Sequence, residues 1–105
     1  FTVLFATNSS AIDSENGKVI VDAASGFAKA KAKAIVLSGH TDAVGNKAAN
    51  VALSERRADT VKAALIDLGV PASAISTTYA GEAQLKVKVP TAEKQNRRVE
   101  IKLSR

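Results

Sequence analysis

Two ionisable residues of opposite sign, Asp42 and Arg57, occupy positions that call for an explanation. Residues Asn50, Leu53, Arg57, Val61, Ala64 and Leu68 follow +3/+4 spacing and share one helical face. From Leu53 onward that face is an apolar stripe, broken only by Arg57. A guanidinium at the edge of a core needs a carboxylate partner or a carboxylate ligand. Near the start of a helix it is also disfavoured by the helix dipole. Arg57 can snorkel to the surface or pair with a structural acid, and Asp42, between the run Ala34–Ser38 and the same helix, is the candidate acid. The pair can equally hold a zwitterion, Asp42 taking an ammonium and Arg57 gripping a carboxylate through its planar fork. Exposed N–H groups at the helix start would add to the anion side. Arg56 lies about 100° round the helix, beside Asp59 and Thr60, and reads as a solvated charge. His40 suggests acid–base chemistry. It is the only His, Cys is absent, and no Ser sits in a Gly-x-Ser-x-Gly elbow. A structural histidine beside a turn is the expectation, with no catalytic residue. One His with scattered acids also predicts no metal site and no cofactor.

The elements that must carry these residues can be read in order. Phe1–Thr7 is β-branched and aromatic and predicts a strand. Ser14 to Ala32 predicts a helix, with Val19, Ala23 and Phe27 at four-residue spacing. Ala34–Ser38 predicts a buried strand, His40–Lys47 a polar loop, and Ala48–Leu68 the strongest helix, ended by Gly69 and Pro71. Ile75–Tyr79 predicts a third strand. Gly81–Asn96 is turn-rich and basic, although Leu85, Val87 and Val89 alternate and could form a short strand. Arg98–Leu103 alternates apolar and charged residues as a half-buried last strand, with Arg97 and Arg98 on opposite faces and at least one solvated. The order β-α-β-α-β-β predicts an α/β sandwich with a mixed four-stranded sheet and two main helices on one face. The first two β-α-β connections are long enough for parallel crossovers.

Composition narrows the function. The chain has 105 residues and a formal net charge of +5. Residues 1–85 carry 8 basic and 8 acidic side chains, while residues 86–105 carry 7 basic and 2 acidic. The entire excess therefore lies in the segment from Lys86 to Arg105. Of the apolar residues, 20 are Ala, and Trp is absent, so a base-stacking surface is not expected. No apolar run approaches the ~20 residues needed to cross a bilayer, so the domain is not expected to insert in a membrane, and no signal-peptide pattern is expected among these residues. The chain begins at Phe1 rather than Met. A single domain over residues 1–105, cut from a longer protein, is the expectation.

Taken together, Gly39-His-Thr-Asp42, Gly45, Asn50-x-x-Leu53-Ser54-x-x-Arg57-Ala58-x-x-Val61 and Asn96-Arg-Arg-Val-Glu-Ile101 resemble the OmpA-like C-terminal peptidoglycan-binding domain. Leu68-Gly-Val70, Ile75-Ser76 and Ala80-Gly-Glu82 fit as well, so the resemblance spans nearly the whole chain in order. It implies that Asp42 and Arg57 bind the diaminopimelate of the peptidoglycan stem peptide, ammonium to Asp42 and carboxylate to Arg57. It further implies hydrogen bonds from Thr41, Asn50 and Asn8, and Asn96 fixing the loop against the site. One departure is visible: the family commonly carries an acid where this chain has Ala6. The implied role is non-enzymatic anchoring of an envelope protein to the cell wall, in the periplasm, attached to the outer membrane through an upstream region. Peptidoglycan is the expected partner and nucleic acid is not. The rival classes are a basic nucleic-acid-binding module, which the basic tail favours and the missing aromatics oppose, and a wall-acting enzyme.

Overall fold

A computed structural model describes residues 1–89 and 91–104; Arg105, counted above in the basic tail, lies outside the described residues. The elements are β1 (Thr2–Leu4), α1 (Ser14–Lys29), β2 (Ala34–His40), α2 (Lys47–Asp67), β3 (Ile75–Gly81) and β4 (Arg98–Ser104). Single 3-10 turns occupy Ala72–Ala74 and Lys94–Asn96. The strands form one sheet in the order β1-β4-β2-β3. β4 runs antiparallel to both β1 and β2, and β2 runs parallel to β3. β1, β2 and β3 therefore share one direction, as the two crossovers require, and β4 is inserted between β1 and β2. The β-α-β-α-β-β order, the mixed four-stranded sheet and the two helices match the sequence expectation.

Strand alternation sorts the side chains into two faces. Ile35 and Leu37 on β2, with Val99 and Ile101 on β4, are buried under the helices beside Val3, Phe5, Ile20, Val61 and Leu65. The opposite face carries Ser38, His40, Arg98, Glu100 and Lys102. α1 starts at Asp13, whose side chain accepts from the Asn16 backbone N–H at 2.8 Å. Asn16 is buried and its side-chain oxygen accepts from the Leu4 N–H at 2.9 Å, tying α1 to β1.

Several boundaries differ from expectation. β1 covers three residues rather than seven: Phe5 N–H makes one further bond to the Arg97 carbonyl, but the Phe5 and Ala6 carbonyls accept from the Arg97 and Arg57 side chains and the chain leaves the sheet. Leu85, Val87 and Val89 form no strand: Asn96 takes both backbone groups of Val87 with its side-chain amide, leaving no ladder partner. The buried face of α2 runs through Asn50, Leu53, Ser54, Arg57, Ala58, Val61 and Leu65. Leu68, assigned to the stripe, is 45% exposed because the helix has ended.

Candidate functional site

The site lies where β2 delivers its chain to α2. Gly39 lets the two elements approach: a Cβ there would lie inside the van der Waals envelope of the Ser54 carbonyl oxygen. On the next turn of the same helix, Arg57 is fully buried. Its guanidinium donates to three backbone carbonyls: Nε to Ser9 at 2.8 Å, Nη1 to His40 at 3.0 Å and Nη2 to Ala6 at 3.1 Å. The cation also sits 5.2 Å from the Phe5 ring centroid. Arg57 thus pins the β1–α1 loop to the end of β2. The contact to residue 6 uses its carbonyl, so the loss of an acid at Ala6 leaves this link intact. Burial lowers the Arg57 pKa to about 10, the Asp42 charge opposes this, and the Arg97 and Arg56 charges add to it. The group remains a cation at neutral pH.

Asp42 is buried, but its partner is Arg97. Oδ2 accepts from Arg97 Nη1 at 3.1 Å and from the Glu93 N–H at 3.3 Å. Oδ1 accepts only one long bond, from the Val44 N–H at 3.4 Å. Arg97 Nε donates to the Phe5 carbonyl at 2.9 Å. Asp42 and Arg57 therefore make no direct ion pair, although each lies within the other's electrostatic reach. The result is two guanidinium groups and one carboxylate at a single rim. Arg97 was the residue missed as a site member, and parity could have found it. Odd positions of β4 face the helices, which puts Arg97 on the side of Arg57. Neither Arg97 nor Arg98 is simply solvated, contrary to expectation: Arg98 is buried on the other face, where Nε donates to Glu100 at 2.6 Å and Nη2 to the Gln84 carbonyl at 3.2 Å. Arg56 is exposed.

The other expected residues sort by what their polar atoms already do. Thr41 is buried, and its hydroxyl donates to the Asp42 carbonyl at 3.0 Å. The Asn50 side-chain amide donates to the Val44 carbonyl at 3.0 Å, and at 3.4 Å to the Asp42 carbonyl and Glu82 Oε1. Both shape the loop after β2. Asn96 is fully buried and clamps Val87 in both directions. Asn8 is exposed in the left-handed region, φ 54°, which Asn tolerates. With Thr7, Val44, Asn46, Asn50 and Leu53 it lines a cleft of about 270 Å³ between the β1–α1 loop and α2. The N–H groups expected to serve an anion at the start of α2 are partly taken, because Asn46 Oδ1 accepts from Ala48 and Ala49 at 2.8 and 3.1 Å. His40 is buried on the open sheet face, with Nε2 2.8 Å from Ser38 Oγ. Its Nδ1 faces no acid, so the orientation of a Ser-His-acid relay is missing.

The model of the OmpA family matches residues 4–98. The chain belongs to the OmpA family. Domains of this family bind peptidoglycan and are not enzymes. Among curated relatives of this OmpA-family domain, the probable lipoprotein YiaD of Escherichia coli is 48% identical over 73 residues, covering 68% of this chain and 33% of that protein. Outer membrane protein A of Bordetella avium is 42% identical over 71 residues, covering 66% of this chain and 37% of that protein. The chain thus spans about a third of the length of the curated relatives it matches. The peptidoglycan-associated lipoprotein of Burkholderia pseudomallei superposes with a TM-score of 0.86 over 98% of this chain and 89% of that chain. At 24% identity, that likeness bears on the fold alone. No helix among the described residues is long and apolar enough to cross a membrane.

Proposed function

We propose that this OmpA-family domain binds peptidoglycan non-covalently through the diaminopimelate residue of the stem peptide, and so anchors an envelope protein to the wall on the periplasmic side of the outer membrane. The observation that carries this reading is the state of Arg57. It is a buried cation with no carboxylate partner among the described residues, set beside a carboxylate that has spare accepting capacity. Arg57 uses three of the five guanidinium N–H groups on carbonyls, which leaves two; because the side chain has no accessible surface, a ligand carboxylate reaches them only as the β1–α1 loop carbonyls of Ala6 and Ser9 give way. Asp42 Oδ1, bearing one long bond, is the oxygen suited to an ammonium. Diaminopimelate carries both groups on one carbon, which fits an acid and a base at one rim. Asn8, at the edge of the cleft, is placed to bond the peptide, while Thr41, Asn50 and Asn96 act by holding the loops.

The test is titration of the chain with free meso-diaminopimelate, with Nα-acetyl-lysine amide as control. That control keeps a side-chain ammonium but has no carbon bearing both an ammonium and a carboxylate, so equal affinity for the two would overturn the reading. Asp42→Asn keeps the shape of the side chain and removes the charge. It should weaken diaminopimelate binding by about 10- to 100-fold, the equivalent of one charge-assisted hydrogen bond, while Arg56→Ala leaves it unchanged.

A further inference from the structure

A concavity of about 440 Å³ lies next to the proposed diaminopimelate site and outside it. Ala43, Glu82, Ala83, Leu85, Lys88 and Val89 line it. Two links tie its walls to the site. Ala43 follows Asp42 directly, and Glu82 Oε1 accepts from the Asn50 amide that also bonds the Asp42 carbonyl. The walls are small and aliphatic, and the volume falls within the range of ligand pockets, about 300–1,000 Å³. The charged groups are separated along it. Glu82 is tied to the Asp42 side through Asn50, whereas Lys88 is exposed and makes no ion pair among the described residues.

We propose that this concavity is a second compartment for the stem peptide, which takes the alanine residues following diaminopimelate and their terminal carboxylate, with Lys88 as the cation that reads that carboxylate. This rests on the diaminopimelate reading above. Small methyl side chains suit walls of Ala, Leu and Val, and they leave room that a larger residue would fill. The polarity sets the direction of the chain: diaminopimelate lies at the end with Asp42 and Glu82, and the free C-terminus lies at Lys88. The compartment would therefore favour stem peptides that still end in a free D-alanine carboxylate over those trimmed to diaminopimelate or amidated at the end.

The experiment measures affinity for four ligands: free meso-diaminopimelate, a stem tripeptide ending in diaminopimelate, the pentapeptide ending in D-Ala-D-Ala, and that pentapeptide as its C-terminal amide. The wild-type chain should bind the pentapeptide about tenfold more tightly than the tripeptide, from methyl burial and one exposed charge pair. The amide should lose part of that gain. Lys88→Gln should bind the pentapeptide and its amide alike and leave free diaminopimelate unchanged. Equal affinity for tripeptide and pentapeptide, or a Lys88→Gln loss common to all four ligands, overturns the compartment. Free diaminopimelate is the arm that reports on the site itself: its failure to bind overturns the reading beneath, whereas binding without a pentapeptide advantage overturns only the second compartment.

Discussion

Arg57 was visible in the sequence because it interrupts an apolar stripe, but its partners were not, because backbone carbonyls leave no mark on sequence. Three of them, from Ala6, Ser9 and His40, converge on one guanidinium. Alanine at position 57 would therefore not spare the fold. Arg57→Ala removes a buried charged donor and strands three carbonyls, so we expect a loss of about 3–5 kcal/mol in unfolding free energy, read by urea denaturation. Asp42→Asn is thus the cleaner probe of binding. His40 gives a second prediction at this scale. Burial, reinforced by the Arg98 charge and opposed by Glu100, lowers its pKa from 6.5 to about 4. The unfolded chain then binds more protons between those values, so stability is complete above about pH 6.5 and falls as pH drops towards 4, by about 3 kcal/mol. Glu100, held below its ordinary value chiefly by the hydrogen bond from Arg98, adds a loss of the same sign at lower pH. In His40→Gln the slope of unfolding free energy between pH 6.5 and 5 should vanish; an unchanged slope would assign it to the carboxylates.

The elements were legible where a period was long and closed by turn residues. α2 was placed within one residue at each end, with Asn46 as its cap and Gly69 beyond it. β1 was over-extended because the chain stays apolar through Phe5, which makes one last bond to the Arg97 carbonyl; the Phe5 and Ala6 carbonyls that follow are claimed by arginine side chains, which hydrophobicity does not report. The alternation of Leu85, Val87 and Val89 misled for the converse reason, since a single side-chain amide from Asn96 satisfied the backbone at Val87. The position of β4 between β1 and β2 had no local signature. The site is built on the approach of β2 to α2, and that approach can be tested. Gly39→Ala would push a methyl into the Ser54 carbonyl, moving backbone against backbone, at a cost of about 2–3 kcal/mol or more. Gly45→Ala meets nothing within 4 Å but forces φ 93° on an L-residue, at a cost of about 1–2 kcal/mol. Denaturation midpoints should follow that order, and Gly39→Ala should also weaken diaminopimelate binding because His40 and Asp42 move with the strand.

At the scale of the molecule, the net charge of +5 divides between two jobs. Arg97 and Arg98, counted in the basic tail, are structural or site residues with defined partners: Asp42 for one, Glu100 for the other. Lys86 and Lys94 are exposed and make no ion pair among the described residues. Exposed charges act over roughly a Debye length, about 10 Å at 0.1 M salt and 3 Å at 1 M. They can raise the local concentration of an anionic polymer without contributing to a close contact. Local recognition and long-range attraction should therefore separate experimentally. In Lys86→Gln/Lys94→Gln, retention on purified sacculi should fall about two- to fivefold at low salt, the equivalent of two exposed charges worth a few tenths of a kcal/mol each. The difference from wild type should disappear as salt approaches about 1 M. The affinity for free meso-diaminopimelate should be the same in both proteins at every salt concentration, because neither lysine lines the cleft or the larger concavity. If diaminopimelate affinity fell in parallel with retention, the basic segment would have to act on the site itself, through the loop that Asn96 clamps at Val87 rather than through the field of the surface.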